Sequence, residues 1–350
     1  MKTIINAQIL PGRGAGGVET VLVALVRALG RLDGNDEFVV VTRADAPDWI
    51  RPFAGPNSKV ISAPRGVQRK TRVPAFLRRM FSPLKTAITQ QPIEWSFPAV
   101  SSGFFESLGG DVIHFPCQDF TICSIPSVYS PHDLQHRHFP QFFDARALVW
   151  REETYRKGCD YSRSVVVGSQ WVKDDIIGQF GIHSDKIQVI PLAPPMQAFS
   201  EPNDVALARV KKTYGIEKTF VLYPSMTWPH KNHIRFIEAM KRSSSGLDAI
   251  CTGFKNDHWN VIEAHLKGTD MSSRVRFPGL IPAEDLRALY RLCEFVVIPT
   301  LFESTKDFSW ETTARAFRAL YRQVARQTLT PEEVGLLTHD WMAPQEEKAA

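Results

Sequence analysis

Short apolar runs bounded by polar, proline or glycine positions alternate along this chain with longer stretches at helical spacing. Each run is too short for a helix and rich in Val, Ile and Phe, so it reads as a buried strand. The pattern predicts strands over Thr3–Ile9, Glu37–Thr42, Asp111–Pro116, Ser127–Pro131 and Val165–Val167. A short strand and a proline-rich connector follow over 186–195. Further strands are predicted over Phe220–Tyr223, Asp248–Gly253, Val275–Gly279 and Phe295–Pro299. Helical spacing appears over Val18–Leu32, after Asn232 and over Glu284–Cys293. Strands alternating with helices imply parallel sheets joined by right-handed crossovers, hence an α/β fold. Ser169 stands where a helix N-cap is needed after Val165–Val167.

One stretch concentrates the candidate chemistry. Residues 221–232 read V-L-Y-P-S-M-T-W-P-H-K-N, and Ile234, Ile237, Ala239 and Met240 supply the apolar positions of the helix that follows. A strand, a loop and a helix start form an anion site, because unpaired backbone N–H groups and the helix dipole converge there. Lys231 stands at its mouth as a point charge suited to phosphate. A solvated lysine on an α/β loop is the alternative.

Totals narrow the class. At 350 residues, with 43% hydrophobic and 23% charged, the composition is that of a globular protein of two domains. No apolar run is long enough to span a bilayer, and the broken apolar stretch after Lys2 argues against a signal peptide. The five cysteines (117, 123, 159, 251 and 293) lack metal-ligand spacing and read as reduced thiols of a cytoplasmic protein. The net charge of +5 is unevenly spread. Residues 65–85 carry Arg65, Arg69, Lys70, Arg72, Arg78, Arg79 and Lys85 with no acid, interleaved with apolar positions. That suits an anionic membrane surface; a solvated basic face over a small core is the alternative. No nucleic-acid motif accompanies it.

Two further loops add candidates. Gly12, Gly14 and Gly17 fit G-x-G-x-x-G between a strand and a helix, a weak dinucleotide signal with no well-placed ribose acid. The strand ending at Pro131 runs into His132 and Asp133, at the sheet edge where ligands bind in such folds. His132, His136 and His138 lie close in sequence, but no cysteine or carboxylate stands at the usual spacing, so no metal site is assigned.

The string W-P-H-K-N before I-R-F-I-E-A-M resembles the donor-phosphate loop of family-four glycosyltransferases of the GT-B fold. The V-R-F-P-G-L-I-P-A-E-D-L-R-A-L-Y run is similar to that family's donor domain, and the match runs in order over about residues 10–304. The resemblance implies two Rossmann-like domains facing across a cleft: 1–197 on the acceptor side and 198–327 binding the nucleotide sugar, followed by a polar tail, 328–350. It implies that Lys231 holds the donor diphosphate, that His132 faces the donor sugar with Asp133 in support, and that Glu303 contacts sugar hydroxyls. Gly16, Gly17 and Glu19 fit the family's G-G-x-E loop, and Ser225, His230 and Asn232 belong to its donor loop. Trp228 and Pro229 replace the family's usual arginine, as in its mannosyltransferase-like branches, which favours a mannose donor on a guanosine nucleotide.

The pattern breaks after P-T-L-F-E. Glu303 and Glu311 meet the family's spacing of two acids by count, the second being its ribose ligand. Yet F-S-W-E-T-T-A-R-A-F-R resembles the family's last helix, which packs back across the domains. The simpler reading is a missing segment after Glu303, an incomplete second domain, and Glu311 in the first turn of that helix.

The expected reaction is retaining hexosyl transfer from a nucleotide sugar to a glycan or lipid-linked acceptor in surface polysaccharide synthesis, at the inner membrane face, with no metal or cofactor. A catalytically inactive GT-B remnant is the alternative. A nicotinamide-dependent oxidoreductase would rest on the glycine triplet alone.

Overall fold

The structure is a computed structural model that describes residues 1–12, 17–64, 68–69, 99–193, 201–301 and 310–339. Gly14, Gly16, Glu303 and all of the basic stretch except residues 68–69 lie outside the described residues. The chain divides into two compact units. Unit 1 comprises Met1–Leu10, Val18–Pro194 and Ser304–Ala350, and unit 2 comprises Pro11–Gly17 and Pro195–Glu303.

Unit 1 is built on a parallel sheet. Its strands are β1 (Lys2–Asn6), β2 (Glu37–Thr42), β3 (Ser58–Ser62), β6 (Val112–Phe115), β8 (Ser127–Tyr129), β9 (Ser164–Val167) and β10 (Ile187–Val189). Their order is β10-β9-β8-β6-β1-β2-β3. Three pieces that periodicity did not reveal, β4 (Gln68–Arg69), β5 (Ala99–Ser101) and β7 (Thr121–Ile122), form a small separate sheet. The helices include α1 (Gly17–Leu29), α2 (Ala145–Tyr161) and α3 (Gln170–Phe180). Strands buried on both faces explain the continuous apolar runs, such as Val165, Val166 and Val167, each at most 3% exposed. Ser169 caps α3 as its position in the sequence predicts, with Oγ accepting from the Val172 N–H at 3.3 Å.

Unit 2 carries α4 (Asp204–Thr213), β11 (Phe220–Pro224), α5 (His233–Arg242), β12 (Asp248–Thr252), α6 (Trp259–Lys267), β13 (Val275–Gly279), α7 (Ala283–Leu292) and β14 (Phe295–Val296). The sheet is parallel in the order β13-β12-β11-β14. A complete doubly wound sheet runs 3-2-1-4-5-6, and the described strands of this unit stop at the fourth place. Among the described residues β14 therefore stands at an edge, although its F-V-V-I run is that of a central strand. Phe295 is 50% and Ile298 59% exposed. An apolar edge with unpaired backbone groups templates association. Ile298→Lys should accordingly lower concentration-dependent light scattering of the purified protein without lowering its thermal midpoint; unchanged scattering would mean that this edge is not the sticky surface.

Two more helices follow, α8 (Trp310–Val324) and α9 (Pro331–Thr338). Both contact unit 1, whereas the sequence reading ends the second domain with α8. Phe317, Leu320 and Tyr321 are buried there. Arg322 bonds Asp36 at 2.6 Å and Glu333 at 2.7 Å, and Arg318 donates to the Asp33 carbonyl at 2.8 Å. The tail expected to be merely polar contains α9, opened by a capping box in which Thr330 and Glu333 satisfy each other's backbone N–H. The T-x-x-E spacing was the available signal.

Candidate functional site

The predicted site residues fall on both units. In unit 2, β11 ends at Pro224 and the chain turns through a 3-10 segment, Pro229–Lys231, into α5. Proline at the first position of that segment supplies the required φ without losing a useful donor. Asn232 adopts φ +63°, and its side chain makes no cap bond; it donates instead to the Pro299 carbonyl at 3.0 Å. The His230 carbonyl accepts from the Leu301 N–H at 2.8 Å and from Thr300 Oγ1 at 3.3 Å. The Lys231 carbonyl accepts from the Tyr223 hydroxyl. The loop is thus tied to β11 and to the chain just past β14, which leads to Glu303. Its shape is held while the first N–H groups of α5, lacking intrahelical partners, provide positive potential.

Two of the loop residues act as scaffold. The Ser225 N–H donates to the Thr252 carbonyl at 2.8 Å, so it is committed to the sheet end. His230, 9% exposed, works through its carbonyl. His233, which the sequence reading passed over, is 2% exposed and stacks on Tyr223 at 4.6 Å. Burial first, then the neighbouring His258 ring and, more weakly, the Lys231 ammonium, push its pKa down to about 4 against a bond with the Ser225 backbone, so it is a neutral imidazole beside the anion site.

In unit 1, His132 has φ +71°, a left-handed conformation uncommon for a side-chain-bearing residue. Its Nε2 lies 2.7 Å from the Pro116 carbonyl. A carbonyl only accepts, so Nε2 carries the proton and Nδ1 is left as an acceptor for a hydroxyl. Burial lowers the pKa of His132, with the Pro116 bond and Asp133 opposing it. Asp133 has a local role: Oδ1 accepts from the Gln135 N–H at 3.1 Å. His132 also lines a cavity of about 20 Å³ with His114, Pro116, Ser130, Gly168 and Phe317, room for about one water.

The three close histidines diverge. His136 faces Glu152 at 3.4 Å and His138 faces Asp175 at 2.8 Å, while His132 faces Pro116. Among the described residues no cluster of metal-ligating side chains occurs. Glu19 lies in the first turn of α1, directly after Gly17 and Val18. Glu311 lies in the first turn of α8, exposed, and accepts from Arg315 at 2.7 Å. That is the helix-start placement the sequence favoured; nothing in its contacts marks a ribose ligand. No described helix is long and apolar enough to cross a membrane.

Two Rossmann-like parallel-sheet units define the GT-B class of glycosyltransferases. The chain belongs to glycosyltransferase family 4, whose model matches residues 15–193. No curated protein matches the chain in sequence. Among solved structures, it is similar to the sucrose-phosphate synthase of Thermosynechococcus elongatus, at 15% identity and TM-score 0.57, covering 90% of this chain and 79% of that one. It is also similar to Anabaena Alr3699/HepE in complex with UDP-glucose, at 16% identity and TM-score 0.56, with the same coverage. A third is WaaG, a glycosyltransferase involved in lipopolysaccharide biosynthesis, at 13% identity and TM-score 0.51. At such identities the likeness establishes the fold.

Proposed function

We propose that this glycosyltransferase moves a hexose from a nucleoside-diphosphate sugar to a glycan or lipid-linked acceptor with retention of anomeric configuration. The observation that carries the reading is the tied loop 229–232, which fixes Lys231 beside the start of α5. Cleavage of the anomeric carbon–oxygen bond leaves its electron pair on the expelled nucleoside diphosphate, so stabilising the negative charge that grows there is the main catalytic task. Lys231 and the α5 N–H groups provide it, and the Gly16–Gly17 loop would approach the same phosphates. The donor phosphate takes the acceptor proton. Neutral His132 would accept a hydroxyl of the donor sugar through Nδ1, and Glu303 would hold other sugar hydroxyls. No metal or further cofactor enters this scheme.

Trp228 and Pro229, where the family usually has arginine, favour a mannose-type donor on guanosine. The four-stranded sheet ending at exposed β14 supports an internal shortening of the donor domain. The basic stretch 65–85 suits docking on the anionic inner face of a membrane, where a lipid-linked acceptor would lie. Calorimetric titration with GDP and UDP tests the core of the reading. Micromolar binding that falls at least about a hundredfold in Lys231→Ala is expected, the loss of one charge-assisted contact set. A folded, monodisperse protein binding neither nucleotide would favour the second reading, an inactive GT-B remnant, which the uncovered β14 edge also suits.

A further inference from the structure

His132 is held in a conformation it would not adopt alone. A left-handed φ on a non-glycine residue persists only where its surroundings over-determine it. In this protein the surroundings are one strand end. The Phe115 carbonyl accepts from the Ser130 N–H at 3.0 Å, and the Pro116 carbonyl accepts from His132 Nε2 at 2.7 Å. His114, the residue before them on β6, reaches Ser130 Oγ with its own Nε2 at 2.9 Å. Successive residues 114, 115 and 116 thus hold three points of the segment 130–132.

His114 is in turn held from outside the sheet. Its Nδ1 lies 2.7 Å from the hydroxyl of Tyr321 on α8, and its ring packs on Phe317 at 5.3 Å. His114 and Ser130 are buried, and the Tyr321 side chain is fully so. Burial, with the nearby His132 adding to it, pushes the His114 pKa down to about 3, so the ring is neutral at physiological pH. A neutral imidazole donates through one nitrogen and accepts through the other. Tyr321 and Ser130 therefore occupy opposite ends of one polarised chain, and each hydroxyl's proton position depends on the other's.

We infer that Tyr321, His114 and Ser130 form a buried relay through which helix α8 positions His132. These are positioning residues that touch no substrate. The proposal rests on the assignment of His132 to the donor-sugar site. It gives α8 a role beyond covering the sheet: a helix whose Tyr321 lies 207 positions beyond His114 sets the orientation of the His132 side chain.

The test uses the full chain labelled with ¹⁵N-histidine, in wild-type, Tyr321→Phe, Ser130→Ala, the double variant and His132→Ala forms. Long-range ¹H–¹⁵N correlation reports the His132 tautomer, assigned by its absence in His132→Ala. Hydrolysis of GDP-mannose and UDP-glucose reports donor turnover, and thermal midpoints report stability. A working relay predicts a single Nε2–H pattern for wild-type His132 that shifts or averages in both single variants. Donor turnover then falls roughly tenfold to a hundredfold through kcat more than KM. The double variant loses no more than the worse single one, since either change breaks the chain. An unchanged His132 pattern in Tyr321→Phe and Ser130→Ala overturns the relay, as do losses that multiply and track the thermal midpoint. Full turnover by His132→Ala would instead overturn the sugar-site assignment, with the tautomer measurement still deciding whether the relay exists.

Discussion

Between pH 7 and pH 5 each of the two units should lose about 2 kcal/mol of stability, a sizeable share of what a single domain possesses. His114 and His233, 1% and 2% exposed, have pKa values pushed down to about 3 and about 4. In the unfolded chain each returns to about 6.5. Below that value the unfolded state binds protons that the folded state refuses, so stability falls as the pH drops through 6 and 5. Each group contributes up to ~1.4 kcal/mol per pH unit over that window. His132, also lowered by burial, adds in the same direction. Among the carboxylates, Asp119 has its pKa raised by burial and partly offsets the histidines as the pH falls, whereas Glu152 leaves the window untouched. Glu152, paired with Arg137 and His136, has its pKa lowered to about 2, so its contribution disappears only at more acid pH. Urea denaturation at pH 7, 6 and 5 reads the effect, and His114→Asn should flatten the profile. A stability independent of pH down to 5 would mean that these rings are hydrated in solution.

Gly253→Ala should cost about 4 kcal/mol and remove nucleotide binding together with stability. Gly253 follows β12 with φ +135°, a region that side-chain-bearing residues rarely enter. An added Cβ would stand 2.5 Å from the Ser225 carbonyl oxygen and 2.8 Å from the Met226 nitrogen. Both are backbone atoms of the loop that leads to Lys231, so neither can rotate away. Relief requires moving the loop, which would break the Ser225–Thr252 bond and the pair made by Thr227 Oγ1 with Asn256, at 2.9 Å. Stability by urea titration and GDP affinity by calorimetry are expected to fall together. A loss below about 1 kcal/mol would show that the loop yields easily, and the rigid-loop account of Lys231 would fail with it.

The elements that local chemistry specifies were legible in the sequence. Apolar runs such as Phe38–Val41 and Val165–Val167 could only be strands, and Ser169 marked a helix start because its hydroxyl acts within three residues. The loop through Lys231 was legible for the same reason, as a strand end, a proline and a helix within a dozen positions. The Thr330–Glu333 capping box carried an equally local signal. Other features have no local signature. Asn232 looks like an N-cap, yet its amide reaches Pro299 because β14 is hydrogen-bonded beside β11. The F-V-V-I run reads as a central strand, and only the sheet order leaves it at an edge. His114 is one more polar residue in a strand until the fold brings Tyr321, 207 positions away, to its Nδ1. Short-range propensity and capping act over a turn or two and are written in neighbouring residues. A buried hydrogen bond between distant positions exists only once burial removes water as the competing partner, and the tertiary structure alone decides where that happens.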